Sequence, residues 1–370
     1  MKLFDALSEL NHEQVVFFNN EDVGLKAIIA IHNTTLGPAL GGLRMWPYES
    51  EEDAVNDVLR LARGMTYKAA VAGLNLGGGK AVIIGDPKTD KSEALFRSFG
   101  RFVNSLRGRY ITAEDVGTSV HDLEWVFQET DHCVGVHQVH GGSGDPSPFT
   151  AYGVIEAIRA SLSKRFSHED LGKFSYAVQG VGHVGYHSVK TLSEAGAKVF
   201  VCDIDDEKVQ AVVDEFGCEV VPNDEIYGVD ADVFVPSALG AIVNEETIPQ
   251  FKFKIIAGSA NNQLATEECG DEIDKMGIVY APDYAANAGG LMNVSIELEG
   301  YDRQRALRMM RTIYHNIRRI FEIAERDNIP TWKAADLMAE ERIQSIGRLK
   351  LPFLGQQPRR FHGRLRASSS

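Results

Sequence analysis

Cysteine is scarce. Only Cys133, Cys202, Cys218 and Cys269 occur in 370 residues, and no two form a C-x-x-C pair. Such a set is too sparse for a disulfide framework and lacks zinc-finger spacing, so free thiols in a reducing compartment are expected. No run approaches the ~20 apolar residues of a membrane span. The amino-terminal MKLFDALSEL carries Asp5 and Glu9 where a signal peptide would have an apolar core. Positive charge is also in deficit, with 38 Lys and Arg against 52 acids and a net charge of −14. That balance favours solubility and leaves no broad basic face for phosphates. The expectation is a cytoplasmic protein with neither membrane nor nucleic acid as partner.

What is present fills two cores. A chain of 370 residues, 44% of them hydrophobic, exceeds the ~250–300 residues at which single cores stop growing. A β-branched strand is expected over 24–32. Ser50 then opens a helix, with Asp53 as a weak capping-box partner and Ala54, Val55, Val58, Leu59 and Ala62 at helical spacing. It runs toward Met65 and Lys68, and a glycine-rich turn leads into a short strand over 81–84. A helix over 92–106 and a strand over 109–112 follow, delivering Glu114 and Asp115. The Gly/Pro/Ser-dense 140–150 is the best candidate for a linker.

Beyond it strands (175–179, 197–203, 232–235, 255–258, 278–281) alternate with helices, which implies βαβ units and a parallel sheet. A long helix is expected from Asp302 to Ala324 and another after Pro330. The last 29 residues, from Arg342, hold seven Lys/Arg and no acid. They read as a frayed terminus or as a basic contact between subunits. The expected domains are 1–140 plus about 330–350, and 145–329, with 351–370 as a tail.

SYAVQGVGHVG puts Gly180, Gly182 and Gly185 in G-x-G-x-x-G order, after a strand and opening a helix. Asp203 ends the next strand 23 residues after Gly180, which completes the context a dinucleotide fingerprint needs. The loop Gly180, Val181, Gly182, His183, Val184 and Gly185 would bring backbone N–H groups to a pyrophosphate at a helix N-terminus. Asp203 would accept from ribose hydroxyls and, with Asp205 and Asp206 beside it, repel a 2′-phosphate. NAD is therefore expected over NADP.

A second glycine cluster, LNLGGGKAVIIGDP, precedes Lys80, twelve residues after Lys68. It is not a phosphate-binding Walker loop, because Leu74 and Ala81 occupy the required Gly and Ser/Thr positions. On these residues alone, a surface lysine at a turn and a desolvated lysine beside a ligand stand level.

Several segments carry a resemblance: GPALGGLRMWPY, GMTYKAA, LNLGGGKAVIIGDP, GRYITAEDVGT, SPFTAYGV, VQGVGHVGYH, ALGAIVNEETIP, IAGSANNQL and APDYAANAGGLMNV. In order, from about residue 12 to about 346, they resemble the glutamate/leucine/phenylalanine/valine dehydrogenase family, its leucine branch above all. The resemblance implies an α/β protein with an N-terminal catalytic, oligomerising domain and a Rossmann-type NAD domain, a cleft between them. It implies a homo-oligomer, dimer or octamer, that converts an L-amino acid, water and NAD to a 2-oxo acid, ammonium and NADH without a metal. Lys68 would bind the substrate carboxylate, Lys80 polarise the carbonyl and activate water, and Asp115 shuttle protons at the nitrogen. Gly41, Gly42 and Met65 would lie against the substrate. Thr150, Ala238, Asn261 and Asn287 would surround the nicotinamide and the amine.

The resemblance further places Leu40, Ala113, Leu291 and Val294 around the substrate side chain. All four are apolar, so a buried glutamate γ-carboxylate would lack a cation there, at several kcal/mol. Aromatic-specific members tend to have glycine at the Ala113 position, so leucine, isoleucine and valine are the expected substrates. Phenylalanine is the alternative, and an NAD-dependent oxidoreductase of another class a more distant one. His132, Cys133, His137 and His140 read as loop residues rather than metal ligands.

Overall fold

β-Branched stretches of the amino-terminal third pair into one sheet and those of the middle third into another. The structure, a computed structural model, describes residues 3–349. The chain divides into two units. Among the described residues the first comprises 3–145, Asn293–Arg303 and 339–349; the second comprises Pro146–Met292 and Gln304–Met338. Among the described residues no helix is long and apolar enough to cross a membrane.

The first unit runs α1 (Leu3–Leu10), β1 (Gln14–Asn20), β2 (Leu25–Asn33), β3 (Ala39–Trp46), α2 (Glu51–Val71), β4 (Gly77–Ile84), α3 (Glu93–Ser105), β5 (Tyr110–Glu114) and α4 (Val120–Phe127). Its strands lie in the order β1-β2-β4-β3-β5. β2 pairs antiparallel with β1 and β4, whereas β3 runs parallel to β4 and β5. Side chains alternate between the faces of a strand, so each face builds its own core. Ile28, Ala30 and Val82 pack with Ala54, Val58 and Leu59 of α2. Ile29, Ile31, Leu43, Ala81 and Ile83 pack on the other side with Phe96 and Phe99 of α3 and Leu123 of α4. α2 starts where the sequence placed it, with the Ser50 hydroxyl accepting from the Asp53 backbone N–H.

Three expectations are corrected. Gly77, Gly78 and Gly79 are not a turn; they are the first residues of β4. The reason is space: a Cβ on Gly78 would lie 2.0 Å from the backbone nitrogen of Thr66, so only glycine lets α2 ride this close to the strand. The single long helix from Asp302 is two, α11 (Arg303–Met310) and α12 (Thr312–Asp327), parted at Arg311. Thr312 Oγ1 donates to the Met309 carbonyl at 2.6 Å, a local bond that competes with the helical ladder.

The third correction concerns the basic terminus. Arg342 does not fray; it lies in α13 (Thr331–Gly347). Its guanidinium donates to the carbonyls of Ala70 (3.2 Å) and Leu74 (2.7 Å), at the end of α2. A cation there meets the negative end of the helix dipole and adds to the Gly73 N–H bond that the Ala70 carbonyl already accepts. The part of the expected tail beyond Leu349 lies outside the described residues.

His32, on β2, is buried against α2. Its Nε2–H donates to the Leu10 carbonyl at 3.0 Å, which leaves Nδ1 to accept from the Thr66 hydroxyl at 2.8 Å. Burial, helped by the neighbouring His12, pulls its pKa from 6.5 down to about 4. The unfolded chain takes up a proton near 6.5 and the folded one does not, so stability is complete above that value and is lost as pH falls toward 4. The loss amounts to about 3 kcal/mol. Urea midpoints at the two ends of this window should fall less in His32→Gln than in the parent. Equal losses would show that His32 is not the responsible group.

The second unit contains α5 (Ser147–Phe166), β6 (Ser175–Gln179), α6 (His183–Glu194), β7 (Lys198–Cys202), α7 (Asp206–Phe216), β8 (Glu219–Val220), β9 (Val233–Pro236), β10 (Ile255–Ile256), α8 (Glu267–Lys275), β11 (Val279–Tyr280), α9 (Asp283–Ala286), the start of α10 (Gly289–Ile296) and most of α11 and α12. Its six strands, β11-β10-β9-β6-β7-β8, are all parallel. The order reverses between β6 and β9. In such doubly wound sheets ligands bind beyond the carboxyl ends of the strands at that point. The α/β class expected from the sequence is therefore the fold observed.

Candidate active site

Strand register decides which side chains of the first unit share a face. Leu40 pairs with Gly78 and with Ile111, Gly42 with Ala113, and Ala30 with Lys80. Leu40, Gly42 and Arg44 of β3, Gly78, Lys80 and Val82 of β4, and Ala113 and Asp115 of the β5 end therefore lie on the face that α2 covers. Here Lys80 Nζ stands 2.9 Å from Asp115 Oδ2. Arg44 Nε donates to the same oxygen at 3.0 Å, and its Nη1 donates to Asp57 Oδ2 of α2 at 2.7 Å. The Tyr48 hydroxyl donates to that Asp57 oxygen at 2.7 Å, and Arg60 reaches the other at 3.0 Å.

Backbone approach explains two of the expected site glycines. A Cβ on Gly42 would lie 2.6 Å from the Glu114 carbonyl oxygen and 2.8 Å from Asp115 Cβ. On Gly41 it would lie 1.7 Å from the Gly79 oxygen and 3.2 Å from Lys80 Cα. No other residue fits at either place while Lys80 and Asp115 stay where they are. Thr118 fixes the turn after β5, accepting from the Asp115 N–H (3.0 Å) and donating to the Leu43 carbonyl (2.8 Å).

The electrostatics are coupled. Lys80 is 4% exposed, and burial pushes its pKa down; Asp115 pulls it back up and Arg44 pushes it further down. For Asp115 burial works upward, but Lys80 and Arg44 outweigh it and hold the carboxyl below its ordinary value. Both cations engage Oδ2, and among the described residues none donates to Oδ1. One carboxylate oxygen is thus anchored and the other is left to accept a proton from outside, beside an amine whose neutral form burial favours.

In the second unit, Gly180 takes φ +94°, and a Cβ there would clash with Ala238 at 2.7 Å. Gly185 tucks α6 under the loop, where a Cβ would lie 2.0 Å from the Gly180 oxygen. Gly182, the N-cap of α6, carries no side-chain cap, and a Cβ there would meet nothing within 4 Å. The helix end is open. Val181 N–H donates to Asp203 Oδ2 at 2.8 Å and Asp205 N–H to Oδ1 at 3.0 Å. Asp205 itself caps α7 and pairs with Lys208 at 2.8 Å, which blunts the repulsion expected from it. Asn287 is buried; its amide donates to Asn261 Oδ1 (2.8 Å) and the Ser259 carbonyl (3.1 Å), while its own Oδ1 has no described partner.

The remaining expected residues fall as follows. Met65 and Lys68 are half-buried in the last two turns of α2. Leu40 and Ala113 are buried on the lysine's face, and Leu291 and Val294 are buried on α10. Thr150, in α5, donates to the Pro146 carbonyl. His183 is exposed and Val184 half-buried in the first turn of α6. Cys133 is buried with its thiol toward the Leu123 carbonyl. No metal-holding group of His, Cys, Asp or Glu occurs among the described residues. Sequence reading missed Arg44, Asp57, Tyr48 and Thr118. Strand parity with Gly42 was the available signal for Arg44.

Comparison with known proteins puts the chain among the amino-acid dehydrogenases, oxidoreductases acting on CH–NH2 groups. It belongs to the glutamate/leucine/phenylalanine/valine dehydrogenase family: the family's dimerisation domain matches residues 12–132 and its dehydrogenase domain residues 141–208 and 201–348. Leucine dehydrogenase of Geobacillus stearothermophilus is 57% identical over 354 residues, 96% of each chain. Phenylalanine dehydrogenase of Bacillus thermotolerans is 50% identical over 363 residues, 96% of this chain and 94% of that one. The crystal structure of L-tryptophan dehydrogenase from Nostoc punctiforme superposes with a TM-score of 0.82 at 45% identity, covering 94% of this chain and all of that one.

Proposed function

We propose that the enzyme reversibly deaminates branched-chain L-amino acids with NAD, leucine first and isoleucine and valine beside it, to the 2-oxo acid and ammonium. The observation that carries the chemistry is the pairing of buried Lys80 with half-buried Asp115, whose carboxylate keeps one oxygen unengaged. Lys68 binds the substrate carboxylate. Asp115 Oδ1 takes a proton from the substrate ammonium and later returns one to the departing ammonia. Lys80, whose neutral form burial favours, accepts a proton from the water that adds to the substrate carbon. As an ammonium it then polarises the product carbonyl.

The second unit fits a dinucleotide by its own geometry. The uncapped α6 terminus at Gly182 offers backbone N–H groups to a pyrophosphate. Asp203 has lone pairs left for ribose hydroxyls beyond the two backbone bonds it accepts. Thr150, Ala238, Asn261 and Asn287 are assigned to the nicotinamide end on the family resemblance, and the unpartnered Asn287 Oδ1 suits an amine or amide donor. When bound, NAD supplies the hydride acceptor for the substrate Cα. The match to a dimerisation domain supports assembly as a homo-oligomer.

Side-chain choice rests on Leu40 and Ala113, buried on the lysine's own face, and the family resemblance adds Leu291 and Val294, both apolar. A substrate carboxylate in that set would be desolvated without a cation. The relatives acting on phenylalanine and tryptophan favour an aromatic substrate, against which Ala113 stands in place of glycine. The test is NADH oxidation with the 2-oxo acids of leucine, isoleucine, valine, phenylalanine and glutamate, with and without ammonium. Oxidation is expected only with ammonium. The aliphatic acids should lead the phenylalanine analogue by about ten-fold or more, the ~1–3 kcal/mol a pocket of this kind discriminates. A faster reaction with the phenylalanine analogue would overturn the branched-chain assignment, and ammonium-independent turnover would overturn the chemistry.

A further inference from the structure

We infer that Arg44 is a positioning residue of the reaction: by engaging the one oxygen of Asp115 that Lys80 also contacts, it aims the opposite oxygen at the substrate nitrogen. The inference rests on the roles proposed for Lys80 and Asp115. Its basis is a chain of contacts unbroken from α2 to β4. Tyr48 and Arg60 hold Asp57, Asp57 holds the Arg44 Nη1, Arg44 Nε holds Asp115 Oδ2, and Lys80 meets the same Oδ2. A carboxylate gripped at Oδ2 from two sides can no longer rotate to exchange its oxygens. Lys80 alone is a poor clamp, because an ammonium is a point donor on a flexible stem. A guanidinium tied at both ends to fixed carboxylates is a directional one.

Arg44 also sets the charge balance around Lys80. The charged groups that weigh most on that amine are Asp115 from the β5 end, Arg44 from β3 and Asp57 from α2; Asp57 is shared in turn with Arg60 and Tyr48. Arg44 disfavours the ammonium, and Asp57 favours it. Removing Arg44 therefore makes Lys80 harder to deprotonate, whereas removing the Asp57 charge makes it easier. A residue that merely braced the fold would move neither.

The experiment compares Arg44→Met, Arg44→Lys and Asp57→Asn in the full-length enzyme. It measures kcat, KM, the rising limb of the deamination pH profile and NADH affinity by fluorescence. In Arg44→Met, kcat should fall about 100-fold, the cost of a misaimed group. KM and NADH affinity should change little, and the rising limb should move up by roughly one pH unit, as expected for loss of a neighbouring cation. Arg44→Lys keeps the charge without the fork, so the limb should return to its place while kcat stays depressed. In Asp57→Asn the limb should move the other way, to lower pH, with kcat reduced several-fold.

Wild-type kcat in Arg44→Met or Arg44→Lys, or a fall in kcat in Arg44→Met with the limb unmoved, overturns the inference. Should Arg44→Met fail to fold, Asp57→Asn decides: a fall in kcat with a downward shift supports the inference, and an unchanged profile overturns it. Lys80→Ala, run alongside, separates the two levels. If it turns over normally, the proposed chemistry itself is wrong. If it is dead while the Arg44 variants behave as wild type, only the positioning role is lost.

Discussion

Lys80→Ala should lose at least 1,000-fold in kcat for deamination while binding NADH with nearly unchanged affinity. The magnitude follows from removing a positioned proton acceptor, typically worth 10²–10⁴-fold. The amine is almost wholly withdrawn from solvent, so bulk water is a poor substitute. The variant should nonetheless fold. Arg44 remains against Asp115 at 3.0 Å, so the carboxylate is not left without a cation in a buried place, which is the usual reason such truncations are costly. NADH affinity should hold because the glycine loop and Asp203 belong to the other unit. Single-turnover absorbance and nicotinamide fluorescence measure the two quantities separately. Near-normal turnover would remove Lys80 from the chemistry.

The second large effect is structural. Gly41→Ala adds one carbon where the Gly79 carbonyl oxygen would be 1.7 Å and its carbon 2.5 Å away. Both are backbone atoms of a paired strand, so neither can swing aside; β3 and β4 must part or the sheet must shift. The cost should exceed about 4 kcal/mol, the range reserved for broken cores and strained backbone, against a total stability of about 5–15 kcal/mol. Loss of soluble protein, or a fall of roughly ten degrees or more in Tm, is expected. Gly64→Ala supplies the contrast. It lies in α2, where an added Cβ meets nothing within 4 Å, and should hold or raise Tm, since glycine costs a helix about 0.5–1 kcal/mol. A Gly41→Ala protein melting with the parent would show that the strands have more room than the backbone positions give.

The sequence disclosed the second unit more fully than the first, and the physics of each explains why. Strands buried on both faces of a parallel sheet are short and continuously apolar. They stand out beside the glycine loop whose spacing fixes β6, α6 and β7. Ser50 and Asp53 announced α2 because a helix cap is written in neighbouring residues. Gly77, Gly78 and Gly79 misled because, along the chain, glycine signals a turn. What they serve is Thr66 on a helix and the strands on either side, and no local pattern records those. The break at Arg311 was hidden in the same way, since a single threonine bond interrupts a face whose apolar spacing continues across it.

The candidate site shows the same division. Lys68, Lys80 and Asp115 are legible through the motifs around them. The contact of Lys80 with Asp115 and the burial of the lysine follow from strand register, which only the folded sheet supplies. Arg44 lay in plain view within GPALGGLRMWPY, but its partners, Asp57 and Asp115, are 13 and 71 residues away. An ion network is a property of where segments meet. Alternation along β3 puts Arg44 on the face of Gly42, and that much a reader of the sequence could have extracted.

Arg342, which donates to the carbonyls of Ala70 and Leu74, has a consequence for how the protein is made. The helix that presents Lys68 leaves the ribosome well before the side chain that finishes it, which is synthesised some 270 residues later. A nascent chain can lay down its first sheet early, but it cannot complete that unit until α13 has been made. Fragments ending at the close of the amino-terminal segment should therefore be poor autonomous folders, and cutting away Arg342 should loosen the helix bearing Lys68 from a great distance along the chain.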